Sequence, residues 1–162
     1  MVRCSMGFFA NLISTDETLK AVEASIAELK KHEVLVGVPQ EKSSRQGGKA
    51  TNAELLFIHT NGSPARGIPA RPVLKPAIAD DKERIGEMLG KAVDAATSGK
   101  KEEIVPALER AGMYASGKCK AWFTNPSNGW KPNNAKTIAR KKSSRPLIDT
   151  GEMRKSITYI VK

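Results

Sequence analysis

Four prolines fall between positions 64 and 76 of this 162-residue chain: Pro64, Pro69, Pro72 and Pro76. Each fixes its own φ, pushes the residue before it toward extended backbone, and lacks the amide hydrogen that a helix or ladder would use. The segment PARGIPARPVLKPAI therefore predicts a rigid, extended connector over 64–76, with Pro72 or Pro76 in the first turn of a following helix. Arg71 is gripped between Ala70 and Pro72, so its neighbours cannot shift to accommodate a poor geometry. Arg66 and Arg71 could both be surface charges, but Arg71 is the better candidate for a held ion pair. The expected partner is the turn at Asp149, through its carboxylate or nearby carbonyls, because a planar guanidinium fork suits a two-pronged contact.

Before the connector, Ser14 and Glu17 have the spacing of a capping box that opens a helix running to about Lys31. Leu19, Val22, Ile26 and Leu29 form its apolar stripe. Val34–Val38 is β-prone and is stopped by Pro39. Residues 40–50 are polar, contain Gly47-Gly48, and read as a mobile loop; a Gly-Gly-Lys without the rest of a phosphate-binding loop carries no meaning. Thr51 and Glu54 make a second capping box, for a helix from Asn52 to about His59 that stops at Asn61-Gly62. Its Leu55, Leu56, Phe57 and Ile58 predict burial on most sides. His59 reads as a partly buried helix-end histidine, since His32 stands at no ligand spacing from it.

After the connector, the spacing predicts a long helix over about 73–96, ended by Ser98-Gly99. A second follows over about 102–123, with Ile104, Leu108, Ala111, Ala115, Cys119 and Trp122 as its stripe. Pro106 is expected among the first amides, which have no intrahelical partner. Gly112 and Gly117 lower helix propensity and predict either a close helix contact or a bend. The turn at 124–129 leads to GWKPNNAKTIARKKSSRPLIDTGEMRKSITYIV. Its Asp149-Thr150-Gly151 invites comparison with aspartic proteases, but that chemistry needs two carboxylates sharing a proton, and a β-rich lobe after the triplet. Only Glu152 to Lys162 follow, so a structural turn is expected instead. Asp149 would be a helix N-cap boxed by Glu152, and Ile148 and Met153 would staple it. Ser156–Val161 is β-branched and reads as a strand.

These elements predict one α+β domain over 1–162, a small, mainly antiparallel sheet with two long helices packed on it. Two strands alone are marginal in water. Short strands from the Ile-Pro segment, or strands from a neighbouring subunit, are expected to complete the sheet. Trp130, in a stiff Trp-x-Pro turn with Pro132, is expected to be a packing anchor.

Charge is distributed unevenly. Of a net charge of +10, nine units belong to the residues from Lys118 onward, where eleven Lys or Arg face only Asp149 and Glu152. Lys136, Arg140, Lys141, Lys142 and Arg145 form the densest run. A polyanion, an acidic protein surface, or plain solvation of a basic face would each account for it. Cys4 and Cys119 are far apart and suit a reducing compartment. No catalytic constellation, metal-ligand spacing or cofactor motif stands out, so neither catalysis, cofactor nor metal is expected. The apolar run at 6–13 is too short and broken for an export signal or a membrane span.

GIPARPVLKPAI, GWKPNNAKTIARKK and PLIDTGEMRKSI, in that order, resemble the neck, tail-completion and virion-morphogenesis proteins of long-tailed bacteriophages, including the Mu-like ones. The matching residues are Ile68, Pro69, Ala70, Arg71 and Pro72; Trp130 and Pro132; Thr137 and Lys141; and Leu147 through Gly151 with Ser156-Ile157. Val73 replaces a usual Phe and Asn133 a common Leu, and the likeness covers about residues 50–162. It implies a small α+β structural protein without catalysis, made in the host cytoplasm and carried in the virion neck. There it would join portal-side connector proteins to the tail terminator or tube as a homo-oligomeric ring of six. The basic quarter would then line the lumen or face an acidic neighbour. The competing expectation is a DNA-binding module using the 136–145 run on phosphates, with steeply salt-dependent affinity. Against it, no aromatic residue interleaves the run for base stacking.

Overall fold

In the computed structural model, residues 6–45 and 50–162 are described, and the side chains of residues 6–14 are not. The chain runs α1 (Met6–Leu29), β1 (Val34–Gly37), α2 (Asn52–Asn61), α3 (Leu74–Asp80), α4 (Lys82–Thr97), α5 (Lys101–Trp122), α6 (Ala135–Lys141), α7 (Glu152–Ser156) and β2 (Thr158–Val161). The architecture is α+β, with a two-stranded antiparallel sheet among seven helices of the described residues. Cys4 and Gly47-Gly48 lie outside the described residues.

α5 is the spine. Its buried Ile104, Ala107, Leu108, Ala111, Ala115, Cys119 and Trp122 recur at three- and four-residue steps. Toward its start, Ile104, Ala107 and Leu108 meet Ala92, Ala95 and Ala96 of α4, with Ile26 and Leu29 of α1 against them. Toward its end, Cys119, Trp122 and the adjoining Phe123 meet Leu56, Val73, Ala77, Met153 and Ile157. α5 also carries the sheet, while α4 lies chiefly against α5 and α1.

The sheet pairs Val34 with Val161, Leu35 with Ile160, Val36 with Tyr159 and Gly37 with Thr158. Glu33 and Lys162 exchange both backbone bonds beyond it, at 2.9 and 3.0 Å. Side chains alternate across a strand, so Val34, Val36 and Val161 join the core while Leu35 and Ile160 are exposed together on the outer face. No third strand joins them among the described residues. The Ile-Pro segment instead closes on itself through a single Ser63–Ile68 bridge. Packing on a helix is what supports so small a sheet.

That packing is close because of Gly112. A Cβ at this position would stand 2.5 Å from Cδ2 and 2.8 Å from Cγ of Tyr159, and 3.0 Å from a methyl of Val34. The close helix contact or bend expected at the two glycines is replaced at Gly112 by a close contact with the sheet. Gly117 has open space around its Cβ position.

Several local expectations fail for physical reasons. α1 is already helical at Met6, so Ser14 cannot open it, and Leu19 is 56% exposed because α1 buries only the part of its stripe nearer its end. Phe57 is 70% exposed, since Leu56 alone of the α2 apolar run points fully inward. The helix expected over 73–96 breaks at Asp81, whose φ is −127°. There its carboxylate accepts bonds from the Tyr114 hydroxyl and the Lys118 ammonium, both at 2.7 Å. Those contacts, Lys118 first, hold the Asp81 carboxyl below its ordinary range. The apolar pattern runs through the break, which concealed it. Pro106 lies six residues into α5, beyond the partnerless first amides, and so leaves the Glu102 carbonyl without its helical donor.

The Thr51–Glu54 capping box forms in full, and Gly62, at φ 74°, ends α2. Residues 40–45 are less loose than expected. Gln40–Lys42 makes a 3₁₀ turn, and Ser43 accepts from the Asn52 amide on its carbonyl and the Ala53 amide on its hydroxyl.

Glu28 links α1 to the start of α5. Its carboxylate sits 3.0 Å from the Lys101 ammonium and 3.2 Å from that of Lys31. Chiefly through Lys101, its pKa falls from an ordinary 4.5 to about 2. A depressed carboxyl contributes stability that is present above its unfolded pKa and lost as pH falls through the folded one. Denaturant titrations between pH 4.5 and 2 should therefore show the gap between the native chain and Glu28→Gln closing as pH drops. The glycines supply a second test. Gly112→Ala should destabilise by about 1 kcal/mol or more in urea unfolding, because overpacking of about 1–3 kcal/mol outweighs alanine's helical advantage. Gly117→Ala should stabilise by about 0.5–1 kcal/mol.

Candidate functional site

Two distant turns hold each other through reciprocal side-chain-to-backbone bonds. Arg71 is 7% exposed, and its own amide donates to the His59 carbonyl at the end of α2 at 2.6 Å. Its guanidinium donates from Nε and Nη2 to the Lys131 carbonyl, at 3.1 and 2.7 Å, and from Nη2 to the Pro132 carbonyl at 3.3 Å. In return, the Trp130 indole N–H donates to the Pro72 carbonyl at 3.1 Å. The Trp130 ring stands edge-on to Phe123, centroids 5.9 Å apart. The expected contact between Arg71 and the Asp149 turn is thus replaced by one with the Trp-x-Pro turn. The stiff backbone at Pro132 presents neighbouring carbonyls to one guanidinium, and burial without a carboxylate partner lowers the Arg71 pKa.

The Asp149-Thr150-Gly151 turn also differs from expectation. Gly151 occupies the N-cap of α7 at φ 80°, and Asp149 caps nothing. A capping box at Asp149 would require Thr150 and Gly151 to be helical already, which this positive φ forbids. The Glu152 amide instead points at the Thr150 hydroxyl, at a long 3.4 Å. Ile148 and Met153 do pack in the same cluster. Leu147 has φ 56°, uncommon for a bulky residue, and turns the chain into this triplet.

Around the lock lies a cleft of about 900 Å³. Ile68, Pro69, Arg71, Pro132 and the Asp149-Thr150-Gly151 turn all contribute to its wall, so three segments far apart in sequence meet at one place. α6 is capped by Asn134, whose side chain accepts from the Thr137 amide at 2.7 Å, and it brings Arg140 and Lys141 to the same wall. Lys136, Lys142 and Arg145 are exposed and do not line it. The basic run is therefore divided, because a helix followed by the left-handed Lys142 at φ 53° cannot keep five residues on one face.

The Lys141 ammonium donates to the Arg145 carbonyl at 3.1 Å. Burial lowers its pKa, Arg140 and Arg71 add to the effect, and Asp149 opposes it. His59, also on the wall, is pushed down by burial and then by Arg71 and Lys141, and its buried Nδ1 has no hydrogen-bond partner. Sequence reading missed Arg45, whose Nε is 3.7 Å from Glu152 across the cleft residues, and the part played by the Lys131 carbonyl. Neither carries a local signal. Cys119 is buried and its thiol is pushed up to about 11, a protonated packing group rather than a nucleophile. Among the described residues no cluster of three or more His, Cys, Asp or Glu could hold a metal ion, and no helix is long and apolar enough to cross a membrane.

No protein-family model, curated protein or solved structure matches the chain.

The lock makes a graded prediction. Arg71→Lys should cost about 1.5–3 kcal/mol in chemical denaturation, since an ammonium cannot reproduce the fork and leaves buried carbonyls short of donors. Trp130→Phe should cost about 1 kcal/mol by losing the bond to Pro72, and Trp130→Ala about 2–4 kcal/mol by losing the ring as well.

Proposed function

We propose that this chain is a structural protein of a phage neck, joining the head's portal connector to the tail as one member of a ring, without catalysis. The observation that carries the reading is the meeting of the three family-like segments. Ile68–Pro72, Trp130–Pro132 and Leu147–Gly151 build one corner of the fold, and two of them exchange hydrogen bonds. Residues so interlocked serve rigidity, which an assembly protein needs more than a turnover site does. The unevenly placed positive charge favours a ring whose basic quarter faces its lumen or an acidic neighbour. Six subunits follow from the resemblance and from the usual symmetry of such tails.

DNA contact by the 136–145 run is the second reading, favoured by the exposure of Lys136, Arg140, Lys142 and Arg145 without acidic partners. The division of the run between cleft and solvent weakens it. Removing the chain from a phage genome that encodes it should leave full heads and detached tails in electron micrographs. Normally tailed, infectious particles would overturn the neck reading. Gel shifts across a salt series address the other, where tight and steeply salt-dependent binding by the free protein would favour it.

A further inference from the structure

We infer that the cleft beside the Arg71 lock is a docking site for an extended acidic segment of another polypeptide, one that alternates carboxylate and apolar side chains. This deepens the neck reading by giving one assembly partner a chemistry and a place. The argument begins with charge. Arg45, Arg71, Lys131, Arg140 and Lys141 contribute to the wall, against only Asp149 and Glu152. Arg71 is committed to carbonyls, whereas Arg140 is exposed and makes no ion pair among the described residues. Lys141 is partly desolvated, and it is chiefly this burial that disfavours its ammonium, with Arg140 and Arg71 adding to it and Asp149 opposing. An incoming carboxylate offsets that desolvation by favouring the charged form and gains charge-assisted hydrogen bonds.

The remaining wall chooses the polymer. Half-buried Ile68, Pro69 and Leu147 offer apolar surface to side chains, as peptide-binding and ligand-binding clefts do. A cleft of about 900 Å³ has room for a few side chains, while a nucleic-acid duplex would reach only its rim. Asp149 and Glu152 would repel the unbroken row of phosphates on a nucleic-acid strand. A polypeptide can meet both signs, placing its carboxylates at Arg140 and Lys141 and its backbone N–H groups at Asp149 and Glu152.

The test uses the whole purified protein and a fluorescein-labelled decapeptide of alternating Glu and Leu, read by anisotropy at fixed ionic strength. Saturable binding is expected, with Arg140→Glu weakening it by about tenfold or more. Glu152→Gln should tighten it by removing a like charge. Lys136→Glu makes the same charge change on the same helix outside the cleft and should weaken binding by less than about threefold, through long-range charge alone. Circular dichroism of each variant confirms that the fold is retained. Absence of binding, or equal losses for Arg140→Glu and Lys136→Glu, would overturn the proposal. So would tighter binding of a single-stranded oligonucleotide of equal charge that displaces the peptide, which would make nucleic acid the occupant. Because the free protein is measured, a negative result leaves the neck reading standing, and normal tailing without this chain would leave the peptide site standing.

Discussion

The bond pair between Arg71 and the Lys131–Pro132 carbonyls on one side, and Trp130 and the Pro72 carbonyl on the other, fixes where the 130–132 turn lies against the proline-rich connector. A guanidinium buried against carbonyls is costly to desolvate and worth retaining only where its geometry is fully met. Prolines on both strands of the lock supply that geometry, since neither turn can drift. The floor of the cleft, the approach of α6 and the seating of Trp130 on Phe123 all inherit their positions from it. A lysine or a freely turning segment at either place would leave the corner without a defined shape.

Helix α5 organises what the lock does not. Its alanines let α4 approach, its large residues close the far core, and Gly112 under Tyr159 lets the two-stranded sheet come close. The molecule thus has two centres of order joined by one helix. One is an alanine-rich contact with α4 and α1; the other is an aromatic corner where α2, α3 and α7 converge.

Much of this was legible because it is local. The capping box at Thr51, the stop at Gly62, the stripe of α5 and both strands follow from spacing and backbone preference within a few residues. What was not legible depends on partners distant in sequence. The break at Asp81 is written in Tyr114 and Lys118, not in the helix that breaks. Arg71 could be recognised as a held cation from its prolines, but its acceptors are backbone carbonyls, which every residue possesses and no sequence pattern marks. At the cleft the three segments were each visible as motifs, and Asp149 looked like a cap because its spacing fits one. A glycine with positive φ two residues later, a property of the folded turn, removes that role.

The register of the sheet bears on the order in which the chain acquires its structure. Val34 pairs with Val161, so β1 must wait for a partner made after all the helices between them. Helices α4 and α5 are sequence neighbours and can meet as a hairpin while synthesis continues, since local contacts close the least chain entropy. β1 has no partner strand until β2 emerges, and its Leu35 and unpaired edge stay open to other chains in the interval. Until β2 has been made, a nascent chain of this kind is open to misassociation, and the contact of Gly112 with Tyr159 forms only after it.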